Sequence, residues 1–197
     1  MKKFLTAVFM VVLMMGTGVV CAQEIPQKAV FLIAEKDFQD DEFARPLAIL
    51  EAEGVEVTVA SSTLDEVTGM NGMKTVPELL YTEVNVENYD AVVFIGGSGA
   101  MQYINDPVAH RLAKEAVEKD KVIGAICLAP RVLASAGVLK DKRATVYPSE
   151  GEVLKQSGAL YTAQPVEQDE KIITADGPDS ADAFGLALLQ QLKGRGK

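Results

Sequence analysis

The sequence predicts an α/β fold: a mostly parallel β-sheet covered by helices on both faces. Three observations carry it. Residues 29–34, 91–95 and 122–126 are short, almost wholly apolar runs with β-branched side chains, the pattern of strands buried on both faces. Segments of helical periodicity follow each of these runs. The turns between strand and helix are rich in glycine or acidic residues, and in parallel sheets ligands sit at such carboxyl ends of strands.

The elements follow in order. Residues 29–34 (AVFLIA) form a first strand, and residues 35–41 a polar, acidic turn. A helix runs from about Asp40 to Glu53, with Phe43, Leu47, Ile49 and Leu50 apolar, and Gly54 ends it. Pro46 falls inside that span, so its start is strained or begins late. Residues 55–60 form the second strand, and residues 68–72 (TGMNG) a turn between two short extended pieces. Residues 79–86 are expected to be extended. Residues 91–95 (AVVFI) run as a buried strand into the glycine-rich turn at 96–100. Asp106 caps a helix with Pro107 at its first position, which runs to Asp120. Residues 144–147 are a further strand, 150–157 a short helix closed by Gly158, and 160–165 and 170–175 strand candidates. After a turn at 176–180, residues 181–193 form an amphipathic closing helix.

The chain is organised around residues 121–131, KVIGAICLAPR. Cys127 follows a buried strand at once, and Leu128, Val132, Leu133 and Ala136 then recur at helical spacing up to Gly137. Cys127 is therefore expected at a strand-to-helix elbow. A helix N-terminus there would stabilise a thiolate and hold its pKa below the free value of about 8.5. The alternative is a buried, inert core cysteine.

The chain has 197 residues and a formal net charge of −9. One domain with a good core fits that length. The negative charge disfavours nucleic acid and anionic membranes as partners. Residues 1–22 read as a secretory signal peptide: Lys2 and Lys3, an apolar run from Phe4 to Met15 broken only by Thr6, and a small-residue cleavage site ending at Ala22. The domain then spans residues 23–197, and the mature protein is expected to be exported, periplasmic or secreted. An uncleaved anchor, or a lipoprotein modified at Cys21, are the alternatives. Cleavage leaves Cys127 as the only cysteine, which excludes an intramolecular disulfide.

The remaining constellations are weaker. Residues 96–99 (GGSG) lack the P-loop lysine and the dinucleotide-binding glycine order, so close backbone approach, with an N–H from Gly96 or Gly97 at an oxyanion, suits them better. Asp37, Asp40, Asp41 and Glu42 match no Ca²⁺ loop and read as a solvated loop, except that Glu42 lies where it could reach Cys127. The single histidine, His110, belongs with the wet side of its helix, so a Cys–His dyad has no obvious base.

The elbow KVIGAICLAPRVLASAGVLK resembles that of the ThiJ/PfpI superfamily, which includes PfpI peptidases and the parkinsonism-associated deglycase. AVFLIAEKDFQDDEFARP, VEVTVAS, YDAVVFIGGSGA and DGPDSADAFGLALLQQL agree with it in order, over nearly all of residues 28–192. The resemblance implies a flavodoxin-like three-layer sandwich, class I glutamine-amidotransferase-like, usually a homodimer, with no metal or organic cofactor. It implies Cys127 as nucleophile, Glu42 as the carboxylate beside it, Gly96, Gly97 and the Leu128 N–H at the oxyanion, and Gly177-Pro178 bordering the pocket. PfpI-type members carry a histidine directly after the nucleophile. Here Leu128 stands there, which speaks against peptidase activity. The deglycase branch has a histidine before a proline in a later strand, where this chain has Tyr147, and the acidic position three residues before Glu42 is Gln39. The implied activity is attack of Cys127 on a small electrophile, a reactive carbonyl (glyoxalase- or deglycase-like), or cysteine-dependent hydrolysis. The alternative is a redox sensor or protective protein that holds Cys127 as a sulfinate. A binding scaffold without chemistry is a third reading.

Overall fold

The computed structural model describes residues 26–194. The expected signal peptide lies outside them. The chain runs β1 (Lys28–Leu32), β2 (Lys36–Phe38), α1 (Asp40–Ala52), β3 (Glu56–Ser61), β4 (Val67–Gly69), β5 (Lys74–Thr75), β6 (Leu79–Leu80) and β7 (Ala91–Phe94). It continues through α2 (Pro107–Glu118), β8 (Val122–Ile126), α3 (Pro130–Ser135), β9 (Arg143–Ala144), α4 (Gly151–Gln156), β10 (Leu160–Tyr161), β11 (Val166–Asp169), β12 (Ile172–Ala175) and α5 (Ala181–Lys193).

Seven strands form the central sheet in the order β11-β12-β8-β7-β1-β3-β6. Every pairing is parallel except β11 with β12 at one edge. β1, β7 and β8 are the middle of the sheet, which is why their sequences are continuously apolar: both faces of each are covered. Alternate residues of β1 feed two cores. Val30 and Leu32 pack with Leu112 of α2 and Leu133 of α3 on one face. Ala29 and Phe31 pack with Phe43 and Leu50 of α1 and Phe184 and Leu188 of α5 on the other. The expected helix–sheet–helix sandwich of flavodoxin type is the architecture observed.

Several boundaries differ from the sequence reading. The acidic turn after β1 contains β2, which buries Phe38 and joins β4 and β5 in a small separate sheet. α1 starts at Asp40 with the Gln39 side chain as its cap, and Pro46 is accommodated inside it, buried against α5. Of residues 79–86 only Leu79–Leu80 is strand, followed by single 3-10 turns. β9 is two residues long and pairs with β10, outside the main sheet. β11, whose residues VEQD lie between the two strand candidates at 160–165 and 170–175, is an edge strand and needs no second apolar face.

The helix after the elbow starts at Pro130, not at Leu128, and is only six residues long. Residues 127–129 are a turn. Cys127 is therefore set back from the helix end that was expected to lower its pKa.

Candidate active site

The carboxyl ends of β1, β7 and β8 lie side by side in the sheet, and each delivers one part of the site. β8 ends at Cys127. β7 ends at Gly96-Gly97. β1 leads through β2 into the first turn of α1, where Glu42 sits. The topology alone brings these distant segments together.

Cys127 takes a left-handed backbone conformation, φ +62°, which costs an L-residue about 1–3 kcal/mol and persists only where its surroundings hold it. They do. The Cys127 N–H donates to Ala175 O of β12 at 2.9 Å, and the Cys127 carbonyl accepts from Tyr147 N–H at 2.9 Å. The residue is 7 % exposed. Its sulfur is faced by the backbone N–H groups of Gly97 and Leu128, both of which favour the thiolate.

Gly96 lies between the two candidate catalytic side chains. A Cβ there would stand 2.6 Å from Cys127 Cβ and closer still to Glu42 Oε2. Only glycine lets carboxyl and thiol approach. Gly97 has φ +93°, and a Cβ on it would meet the backbone at Phe38 and Gln39. Gln39 N–H donates to Gly96 O at 3.1 Å, so the glycine turn and the start of α1 are held together.

Glu42 is fully buried. Neither carboxyl oxygen has a partner in hydrogen-bond geometry; the Cys127 thiol and the Gly96 N–H face it without closing to full hydrogen bonds. Burial is the largest influence and raises its pKa from 4.5 to about 8, against the opposing effect of those two donors. The thiol also moves upward, against the sequence expectation. Burial, then the neighbouring Glu42 charge, push Cys127 up to about 12, and the Gly97 and Leu128 N–H groups recover only part of that. The physical reason is burial of the sulfur first and the carboxyl beside it second, with no helix N-terminus at Cys127 to offset them.

Above the pair opens a cleft of about 450 Å³, lined by Glu42, Cys127, Gly97, Leu128, Tyr147 and Pro178. All were read from sequence. Tyr147 forms the rim, 44 % exposed. Gly177 does not line the cleft but backs onto Tyr147, since a Cβ on it would lie 3.7 Å from the ring. His110 is elsewhere: its Nε2 pairs with Ile104 O at 2.7 Å on α2, and it does not line the cleft.

The sequence reading missed Met70, Ser98, Ser149 and Glu150, which also line the cleft. Glu150 pairs with Arg131 at 3.0 Å. The signal for Ser149 and Glu150 was their place just after Tyr147-Pro148. Met70 carried none, because its loop reaches the site only through the small β2-β4-β5 sheet. Gln39, noted as a departure, has a structural role as well: its Oε1 accepts from Glu42 N–H at 2.8 Å and fixes the first turn of α1.

The chain is similar to several known proteins. It is 44 % identical over 169 residues to an uncharacterized protein of Methanocaldococcus jannaschii, covering 84 % of this chain and 82 % of that one. It is 30 % identical to a deglycase of Pyrococcus abyssi, covering 83 % and 99 %. It is 28 % identical to a glutathione-independent glyoxalase of Caenorhabditis elegans, covering 85 % and 90 %. Its fold superposes on the crystal structure of a ThiJ/PfpI domain protein from Brachyspira murdochii with a TM-score of 0.84 at 27 % identity, covering 86 % of this chain and 98 % of the other. Residues 27–191 match the profile of the DJ-1/PfpI family, and the chain belongs to that family.

Proposed function

We propose that the protein is a cofactor-independent glyoxalase or deglycase that acts on small reactive carbonyls through Cys127. The observation that carries this reading is the fully buried Glu42 carboxyl beside the thiol, its pKa raised to about 8. A proton carrier works best when its pKa lies near the working pH. Glu42 supplies that without a histidine, and Leu128 stands where a peptidase would need one. The names glyoxalase and deglycase belong to relatives that match most of the chain, which supports the same substrate class.

The steps balance for a 2-oxoaldehyde. Ionised Glu42 takes the Cys127 proton as sulfur adds to the aldehyde carbon. The C=O electron pair moves to oxygen, and Glu42 returns the proton there to give a hemithioacetal. The Gly97 and Leu128 N–H groups stabilise negative charge at this centre. The aldehyde C–H proton then moves to the neighbouring carbon through an enediol, leaving a thioester. Water cleaves its C–S bond, releasing the 2-hydroxy acid and the free thiol. In the test, methylglyoxal is incubated with the protein and lactate is measured. Turnover that persists unchanged in Cys127→Ser would end this reading.

A second reading is favoured by the two N–H groups that face the sulfur itself: Cys127 as a peroxide sensor. Thiol and two peroxides give sulfinic acid and two waters. Mass spectrometry of the Cys127 peptide after mild peroxide should plateau at two added oxygens. Steady progress to three would exclude it.

Export belongs to the proposal too, with homodimer formation. Recovery of a chain beginning at Gln23 from the extracytoplasmic fraction supports export, and a chain retaining Met1 in the cytoplasmic fraction counts against it. Sedimentation at low concentration tests the dimer.

A further inference from the structure

We propose that the Asp40 carboxyl clamps the turn at residues 69–73 so that Met70 forms an apolar wall of the Cys127 cleft and selects substrates carrying an apolar group next to the reacting carbon. The choice of carbonyl substrates rests on the function proposed above; the wall itself does not.

Asp40 opens α1 two residues before Glu42, yet it is buried rather than solvated. A buried carboxyl persists only where hydrogen bonds replace its water. Asp40 Oδ2 accepts from Asn71 N–H at 2.9 Å and Oδ1 from Met73 N–H at 2.7 Å. Both oxygens are thus spent on one turn of another segment, 31 and 33 residues away in sequence. The fit is tight. A Cβ on Gly69 would stand 2.8 Å from Asp40 Cγ.

Met70 is held from its other side by a bond from its N–H to Phe38 O at 2.8 Å. Its backbone is therefore fixed between β2 and the Asp40 clamp, while its side chain is 51 % exposed and lines the cleft. With Leu128, Tyr147 and Pro178 it supplies the apolar part of a lining that also holds Glu42, Gln39 and Ser98. A methionine side chain adapts to ligands of varied shape. One helix turn thus sets both the proton carrier, Glu42, and the wall that receives the substituent. Asp40 acts through Met70 and is a positioning residue.

The test uses the chemistry of the thiol alone. The rate of Cys127 alkylation is measured by mass spectrometry of its peptide with N-phenylmaleimide and with N-methylmaleimide, each divided by its rate with N-acetylcysteine. The expected phenyl-over-methyl preference falls about tenfold in Met70→Ala, the range for losing methylene contacts in an apolar pocket. Met70→Leu keeps it within about twofold, since it is a volume-conserving exchange. Asp40→Asn lowers it in the same direction as Met70→Ala. An unchanged preference in Met70→Ala, or an equal loss in Met70→Leu, overturns the wall. A preference unmoved in Asp40→Asn overturns the clamp. Should Asp40→Asn fail to fold, hydrogen exchange on the unaltered protein decides the clamp: the Asn71 and Met73 amides are expected to be protected, and exchange at the rate of an open loop overturns it. Loss of methylglyoxal turnover with the preference intact would refute the proposed activity and leave the wall standing.

Discussion

At Glu42 the protein keeps a carboxyl group out of water without a full hydrogen bond to either oxygen. The consequence is a group that holds its proton to about pH 8 and can still release it at neutral pH. If it is the base that takes the Cys127 proton, it must be ionised to act. Turnover should then rise with pH through about 8, and Glu42→Gln should flatten that limb and lower kcat by about a hundredfold or more. A rate that falls over the same interval would assign Glu42 the opposite role. The thiol gives an independent check. The Glu42 charge raises the Cys127 pKa, so Glu42→Gln should lower the midpoint of iodoacetamide alkylation by about one unit or more. The sign follows from a negative charge beside the thiol, which opposes the thiolate. The elbow was legible in KVIGAICLAPR, and so was Glu42 beside it. The electrostatics were not, because they depend on α3 starting at Pro130 and on how deeply Glu42 is buried.

Elements explain why these residues meet. α1 carries Glu42, and α1 is pressed closely onto α5: a Cβ on Gly185 would lie 2.9 Å from Pro46 Cα and 3.0 Å from Ile49 Cδ1. Pro46 withholds one N–H from the helix at Glu42's own carbonyl. Gly185 presents no side chain to this turn, which lets the two helices approach. Gly185→Leu should therefore destabilise the fold by about 1–3 kcal/mol through overpacking. It should also displace α1 at Glu42, so that turnover falls more than the folded fraction does. Equal losses of the two would show α1 to be insulated from this contact. The sequence marked the buried strands well because a strand covered on both faces has one pattern. It marked β2, β11 and the 61–88 region poorly, since short edge strands need no apolar period and the small β2-β4-β5 sheet is defined by its pairing with distant residues.

Across the whole molecule, a group whose pKa differs between folded and unfolded chain couples folding to pH. Glu42 is raised from 4.5 to about 8 by burial. Between these values the folded protein holds a proton that the unfolded chain has released, so stability falls as pH rises. Its contribution is fully present below about pH 4.5 and is lost as pH climbs through about 8. The amount at stake is on the order of a few kcal/mol, a sizeable share of the 5–15 kcal/mol typical of a domain. Asp169 and Glu87 shift the other way, downward through Arg143 and Lys119, but both lie near the surface where water weakens the effect. The net slope should follow Glu42. Thermal unfolding of the mature protein should show Tm decreasing from pH 5 to pH 8, and Glu42→Gln, uncharged at every pH, should remove most of that decrease. The variant should then be the more stable protein at pH 8 while being the less active one, because the wild-type carboxyl must be ionised there to work and ionisation in this site opposes folding. Parallel Tm profiles for the two proteins would mean that Glu42 titrates as it does in water, and the proton carrier of the proposed reaction would have to be sought elsewhere.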